Sequence, residues 1–169
     1  MDKRKFRLIS LEIIGAVILG SLLNVFVISG YWIPSASMSP TLNVDDIALV
    51  FKMINPENLK TGDIIVFNSE EAKDTLIKRL IGKPNDVIVL SKGRVSVNGK
   101  YLDEDYVKYN NITYENKFKV PEGKYFFLGD NRDNSFDSRY WNEAFIDKDQ
   151  IIGKALLRFK SLGDFNILK

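Results

Sequence analysis

An uncharged apolar segment near the N-terminus is the strongest constraint on this chain. From Ile13 to Ile33 the sequence carries no formal charge. About twenty residues is the length that a helix needs to cross the hydrocarbon core of a bilayer. Basic residues precede the segment, and the next one after it is Lys52. The positive-inside rule therefore predicts one spanning helix with a cytoplasmic N-terminus and an external remainder. The preceding basic residues are Lys3, Arg4, Lys5 and Arg7.

The same segment is compatible with two other structures, a cleavable signal peptide and a buried core helix. Ser35, Ala36 and Ser37 have the small side chains of a cleavage site. The apolar cores of signal peptides are only about 7 to 15 residues long, so the length favours an uncleaved anchor. A core helix is disfavoured because the apolar character is nearly uninterrupted. The polar residue Asn24 weakens this argument.

The amino-acid composition limits the chemistry that is available to the chain. The sequence contains no histidine and no cysteine. This excludes a Ser-His-Asp triad, histidine-ligated zinc, thiol nucleophiles and disulfides. A formal net charge of only +2 gives no strong field that would attract nucleic acid. The composition is compatible with a serine nucleophile served by lysine, although it does not by itself show that the chain is a hydrolase.

Beyond Pro40 the pattern changes to short apolar stretches separated by Gly, Pro, Asn and Asp. This pattern predicts a mainly β domain. Hairpins are expected at Ser91-Lys92-Gly93 and at Asn98-Gly99, a dipeptide favoured in type I′ turns, before Tyr101-Leu102. Glu104–Lys117 is polar and is expected to be a loop. The predicted strands are Ile47–Met53, Asp63–Phe67, Thr75–Ile81, Asp86–Leu90, Arg94–Val97, Lys124–Leu128 and Ile151–Phe159.

The first segment that could carry chemistry is Pro34–Leu42, where several hydroxyl groups lie between two prolines. Proline fixes φ and so makes the segment stiffer. A nucleophilic hydroxyl needs one fixed geometry and oxyanion donors beside it. Ser37, with its own backbone N–H and the Ser35 hydroxyl, meets that requirement. A plain Ser- and Pro-rich stalk after an anchor is the alternative.

The second such segment surrounds Lys78. Strand alternation places Lys78 on the same face as Leu76 and Leu80, so its neighbours are apolar. A free lysine has a pKa of about 10.4 and is almost entirely protonated at neutral pH. Desolvation can lower this pKa by roughly 3 to 5 units, which would produce a base. A lysine that protects a strand edge is the alternative. Arg79 cannot replace Lys78, because guanidinium stays protonated.

The third segment, Gly129–Arg139, is a dense run of turn-forming residues, carboxylates and arginines. Its aspartates suggest calcium binding, but the glycine and the terminal glutamate of an EF-hand loop are absent. Pairing between carboxylates and arginines within the loop is the favoured interpretation, with Asp137 and Arg139 as candidates.

These segments, in this order behind an N-terminal anchor, resemble the conserved boxes of bacterial type I signal peptidases. Pro34–Leu42 resembles the nucleophile box, Gly62–Phe67 a structural strand, Lys78–Gly82 the base box and Gly129–Arg139 the closing box. The resemblance implies that Ser37 is the nucleophile and Lys78 the base. Its further implications are the following: Ser35 and the Ser37 amide as oxyanion donors, Ser135 as the group that orients the Lys78 amine, Asp137, Arg139 and Arg79 as site support, and Asp130, Asn131, Arg132, Asp133 and Asn134 as further loop members.

The resemblance also implies a fold and a function for the whole chain. The fold is a mainly antiparallel β catalytic domain, shared with the LexA-type autopeptidases, preceded by one transmembrane helix. The domains are expected at residues 1–33 and 34–169. The activity is that of a serine endopeptidase in the bacterial plasma membrane that removes signal peptides from secretory preproteins and needs no metal or organic cofactor. The expected contacts are signal peptides, the lipid bilayer and the secretion translocon, and no nucleic acid.

The sequence departs from the family pattern in two places. Lys83–Asp86 stands where family members often have a leucine and a glycine, and the β-rich insertion of larger members is expected to be reduced to the region around Glu104–Lys117. Two alternative functions stay open. One is a LexA-like Ser-Lys peptidase with regulatory substrates, and the other is a noncatalytic membrane-tethered β domain that binds peptides.

Overall fold

The computed structural model describes residues 3–161 and 164–168, and the side chains of residues 3–8 and 161 lie outside this description. Helix α1 covers Lys3–Phe26. Within α1, Ile9–Phe26 is long and apolar enough to cross a membrane, by length and composition. The side chains of this span are exposed, apart from the partly exposed Ser10, and none of them is buried among the described residues. This agrees with the predicted anchor, while the basic side chains that carried the orientation argument fall outside the description.

The outer end of the predicted span is wrong. Helix α1 ends at Phe26, and strand β1, Ile28–Trp32, pairs antiparallel with strand β2, Ile47–Phe51. Ile33 is buried in the core of the domain that follows the helix. An apolar strand that follows an apolar helix without a break has no charge or proline to mark the change, so hydropathy alone extended the helix too far.

The strands form two antiparallel sheets. The larger has eight strands in the order β1-β2-β11-β3-β4-β9-β10, with β12 paired to β11, and the smaller has four in the order β7-β6-β5-β8. The remaining bounds are β3 Ile64–Ser69, β4 Asp74–Gly82, β5 Val87–Ser91, β6 Arg94–Val97, β7 Lys100–Tyr101, β8 Asn116–Lys119, β9 Lys124–Leu128, β10 Ile146–Asp147, β11 Ile151–Ser161 and β12 Asp164–Ile167.

All the predicted strands are present, with ends that shift by a few residues. Both predicted hairpins form: Lys92-Gly93 joins β5 to β6, and Asn98-Gly99 joins β6 to β7. All four of these turn residues have positive φ, as type I′ turns require. Strands β1, β8, β10 and β12 were not predicted; β8 lies at the end of the stretch that was expected to be a loop.

The nucleophile segment is fixed by the core next to it. Met38 and Leu42 are fully buried in a cluster with Ile33, Val50 and Val66. Each such side chain contributes roughly 1.5–3 kcal/mol relative to an exposed one. A short 3-10 helix, Ala36–Met38, carries Ser37 directly before the buried methionine. The segment is therefore part of the folded domain and is not a stalk.

One face of the larger sheet is apolar and open to the surroundings. Trp32, Ile47, Phe159 and Phe165 are consecutive cross-strand partners on β1, β2, β11 and β12, so they form one row on this face. Trp32 is 60% exposed and Phe165 is 66% exposed. Exposed apolar side chains at Ile28 and Ile167 flank the row. We call these six residues the outer apolar face.

A close approach of two strands at Gly153 gives a test of the sheet packing. A Cβ at this position would overlap the carbonyl oxygen of Phe51 and a methyl group of Val50. We expect Gly153→Ala to lower the free energy of unfolding by about 1–3 kcal/mol. Gly30→Ala is the matched control, because its Cβ would meet only an Ile47 methyl group, at 3.3 Å. Tryptophan fluorescence during urea unfolding in micelles measures the stability of both variants. Unchanged stability of Gly153→Ala would contradict this packing.

Candidate active site

The structure brings Ser37 and Lys78 together from distant parts of the sequence. Ser37 lies on the short 3-10 helix, and Lys78 lies in the middle of β4. The Lys78 Nζ and Ser37 Oγ atoms are 2.6 Å apart and hydrogen bonded. Ser37 is 8% exposed and Lys78 is 4% exposed. A hydroxyl and an amine in direct contact, largely shielded from water, are the geometry that proton transfer between them requires.

Burial gives Lys78 the character of a base. The pKa of Lys78 is lowered from 10.5 to about 8, mainly because burial removes water from the ammonium group. The Asp137 and Asp130 carboxylates act in the opposite direction, and the Arg139 charge contributes to the lowering. At neutral pH about a tenth of such a lysine is unprotonated, compared with less than one in a thousand for a free side chain. Lys78 can therefore accept a proton under ordinary conditions.

The Ser35 hydroxyl lies beside the reactive pair. Its Oγ is 3.3 Å from Ser37 Oγ and donates a hydrogen bond to it. Ser35 itself is exposed, so the solvent side of the reactive pair lies next to its hydroxyl. A hydroxyl in this place can turn its proton toward an oxygen that becomes negative next to Ser37 Oγ, which is what an oxyanion donor does.

Asn131 holds the nucleophile segment from the other side. Its backbone N–H donates to the Ser37 carbonyl at 3.0 Å, and its side-chain Nδ2 donates to the Ala36 carbonyl at 3.2 Å. Two hydrogen bonds from one residue fix two successive peptide groups, and thereby the direction of the Ser37 side chain. The sequence placed Asn131 in the closing loop without a defined role.

Two buried arginine–aspartate pairs lie near the lysine. Arg139 Nε donates to Asp137 Oδ1 at 2.8 Å, which is the pairing that the sequence suggested. Arg79 Nε donates to Asp130 Oδ1 at 2.8 Å, a partner that the sequence did not identify. Both pairs are bidentate, since a second guanidinium nitrogen of each arginine also donates to its aspartate. Each pair leaves its aspartate little capacity to bind the Lys78 ammonium directly.

Comparison with known proteins identifies the family of this chain. The family model described as signal peptidase, peptidase S26, matches residues 6–160. The chain belongs to the signal peptidase family. The protein named "Probable signal peptidase I-2" of Synechocystis sp. is 40% identical over 154 residues, covering 85% of this chain and 68% of its own. Signal peptidase I P of Bacillus subtilis subsp. natto is 40% identical over 155 residues, covering 85% and 83%.

A solved structure supports the fold of this signal peptidase family member. The crystal structure of a signal peptidase I from Enterococcus faecalis is similar, with a TM-score of 0.51 and 33% sequence identity. The match covers 57% of this chain and 96% of that one. The predictions of the family and of a mainly antiparallel β fold with one N-terminal apolar helix are confirmed.

Ser135 does not make the contact expected of it in a signal peptidase site. Its Oγ is buried and has no hydrogen-bond partner among the described residues, so it does not bind the Lys78 amine here. Its side chain packs against Gly129 beside the Ser37 carbonyl, where a Cβ on residue 129 would overlap both. Glycine at this position lets the closing loop approach the nucleophile segment.

Several supporting residues of the site could not be found from sequence. Glu104 pairs with the buried Arg132, and the Tyr106 ring lies 3.8 Å from the Arg79 guanidinium. Burial raises the pKa of Tyr106, so this ring stays neutral. Both residues come from the stretch that was expected to be only a polar loop. No spacing or motif marks them, because their partners lie far away in sequence.

Of the remaining predicted loop residues, Arg132 is buried and the next two are exposed. Arg132 Nε donates to the Gly129 carbonyl at 3.0 Å, which closes the loop on itself. Asp133 and Asn134 are exposed, and the Asn134 backbone donates to Asn131. Among the residues that the structure describes, no group of three or more acidic side chains could hold a metal ion.

Titration of Lys78 tests the electrostatics of the site without an activity assay. NMR of 13C-labelled lysine in micelles is expected to show one amine that titrates near pH 8. In Asp137→Asn, the pKa is expected to fall further, because a carboxylate that raises it is lost while Arg139, which lowers it, remains. Asp147→Asn, at an exposed ion pair with Lys124, is the control and should leave this titration unchanged. A Lys78 pKa that rises in Asp137→Asn would contradict the description.

Proposed function

We propose that this chain is a membrane-anchored serine endopeptidase that removes signal peptides from exported preproteins, with Ser37 as nucleophile and Lys78 as general base. Membership of the signal peptidase family supports the reaction. The observation that carries the residue assignment is the 2.6 Å contact between Lys78 Nζ and Ser37 Oγ inside a buried site. Because the sequence contains no histidine, a lysine base is the available route to an activated serine.

The reaction proceeds by acyl transfer. Neutral Lys78 removes the Ser37 proton while Ser37 Oγ attacks the scissile carbonyl, and the Ser35 hydroxyl and the Ser37 backbone N–H stabilise the oxyanion. The carbon–nitrogen bond breaks, and protonated Lys78 gives its proton to the leaving amine. Lys78 is then neutral again and activates a water molecule, which hydrolyses the ester and restores Ser37.

The free edge of β4 offers a place for an extended substrate. One edge of β4 pairs with β3 over residues 74–79, whereas β9 pairs with the other edge only from Arg79 onward. Residues 74–78 therefore have no strand partner on that side among the described strands. A peptide added there as a strand would run past Lys78 and Ser37.

A small cleft beside this edge suits a small side chain. It has a volume of about 40 Å³ and lies between the strand edge and the segment that leads to Ser37. Its lining includes Tyr31, Ile33, Pro34, Val66, Leu76 and Ile77. An extended peptide with a small apolar residue next to the cut fits this cleft, in keeping with the small residues expected at signal peptide cleavage sites.

The lipid bilayer is the second proposed contact. Strand β1 begins directly after α1, so the outer apolar face is continuous with the anchor. Such a face costs free energy in water and gains it in contact with lipid, and tryptophan favours the interface between them. We place the domain on the outer surface of a bacterial plasma membrane, with the N-terminus in the cytoplasm. The secretion translocon, which would deliver the substrates, stays a prediction.

Substitution of the two reactive residues tests the mechanism. We expect both Ser37→Ala and Lys78→Arg to lower kcat/KM for a preprotein by on the order of 10⁴-fold. Lys78→Arg is the sharper test because arginine keeps the charge and cannot supply a neutral base. Lys83→Arg, at a partly exposed lysine just after β4, is the matched control and should remain active. Activity above about a tenth of wild type in either dyad variant would refute the assignment.

Topology is tested by labelling, because the natural chain has no cysteine. A membrane-impermeant maleimide added to intact cells is expected to label Lys117→Cys in the external domain. It should label Lys3→Cys only after the membrane is permeabilised, since the positive-inside rule retains that end in the cytoplasm. The reverse labelling pattern would show that the orientation is wrong.

A further inference from the structure

The joint between the anchor and the domain is short and contains no glycine or proline. Helix α1 ends at Phe26, β1 begins at Ile28, and Val27 alone separates them. The last carbonyl groups of a helix have no partner within the helix. Where water is scarce at the edge of a bilayer, such groups have to be satisfied by the protein. The partners of these carbonyls therefore determine how the anchor is attached.

Lys52 supplies several of these partners. Its Nζ atom donates to the Asn24 carbonyl at 3.3 Å and to the Val25 carbonyl at 3.1 Å. Its backbone N–H donates to the Val27 carbonyl at 2.8 Å. Ser29 Oγ adds a bond to the Asn24 carbonyl at 2.7 Å. A cation at the C-terminal end of a helix is also favoured by the helix dipole.

The position of Lys52 gives these bonds a mechanical effect. Lys52 directly follows β2, which lies between β1 and β11 in the larger sheet. The helix end is thus held on one side by β1, through Val27 and the Ser29 hydroxyl, and on the other side by the Lys52 side chain at the end of β2. Attachment to β1 alone would let the helix tilt about Val27, whereas the second attachment, to the end of β2, fixes the direction of the helix relative to the domain.

We propose that Lys52 is a positioning residue that fixes the direction of the catalytic domain relative to the membrane anchor. This rests on the proposed function, since a fixed direction matters only if the Ser37–Lys78 pair has to meet a peptide that leaves the bilayer at a defined height. A peptide free in solution can reach the site in any orientation of the domain. A preprotein whose signal peptide is inserted in the membrane can do so only in one.

The first experiment measures the direction of α1 relative to the domain and does not depend on catalysis. Spin labels are placed at Ile18→Cys in α1 and Lys117→Cys in β8, both exposed, in the full chain in vesicles of phosphatidylcholine and phosphatidylglycerol. We expect a narrow distance distribution in the otherwise unchanged chain, and one about twice as broad with Lys52→Met, which keeps the apolar stem and loses the donors. Lys52→Arg should stay narrow, because arginine can donate to the same carbonyls.

The second experiment compares two substrates. For a short soluble peptide, kcat/KM of Lys52→Met should stay within about twofold of wild type, since the site itself is untouched. For a preprotein inserted in the same vesicles, it should fall by about tenfold or more, and Lys52→Arg should restore it. Lys60→Met is the control and should cleave both substrates normally, since this lysine is exposed and its side chain has no hydrogen bond to the described residues.

The outcomes separate this proposal from the proposed function. An unchanged distance distribution in Lys52→Met would overturn the positioning role, as would normal cleavage of the inserted preprotein. Equal losses on the peptide and the preprotein would also overturn it, because they would indicate a general loss of folding. If the wild type cleaves neither substrate, the proposed function fails, and the distance distributions alone decide whether Lys52 fixes the joint.

Discussion

The burial of the Lys78 ammonium group is the constraint on which the rest of the site depends. A buried lysine is a useful base only if no carboxylate neutralises it by direct contact, because a close ion pair would stabilise the protonated form. The nearby carboxylates of Asp130 and Asp137 are each occupied by a bidentate arginine. Among the described residues, no carboxylate forms a salt bridge with Lys78, and its polar contact is the Ser37 hydroxyl. The two arginine–aspartate pairs therefore stabilise the fold around the site without holding Lys78 in its protonated form.

The same arrangement explains why the closing loop and the nucleophile segment behave as one unit. Asn131 binds two carbonyls of the nucleophile segment, and Thr41 of that segment donates to Asp130. Met38 ties the segment to the core on its other side. A change in the loop is thus transmitted to the direction of Ser37 as well as to the charge around Lys78. Positioning and electrostatics cannot be altered independently at these residues.

Local sequence patterns predicted most strands and hairpins. They missed the ion pairs that form between residues far apart in the sequence. Alternating apolar stretches and the Asn98-Gly99 turn predicted strands and hairpins because these depend on nearby residues. The motif resemblance selected Ser37 and Lys78, which strand register alone could not do. The Arg79–Asp130 and Glu104–Arg132 pairs depend on how distant elements pack, and no spacing encodes that. The helix was extended beyond Phe26 because an apolar strand and an apolar helix have the same hydropathy.

The half-open edge of β4 limits cleavage to the time before the substrate has folded. A chain that pairs with this edge has to be extended over several residues, and residues already folded into a helix or into another sheet cannot provide such a strand. The site would therefore accept an exported chain before the part next to the cut has folded and would ignore the same bond afterwards. Selection by strand geometry would protect folded proteins, even where they contain the right small side chains.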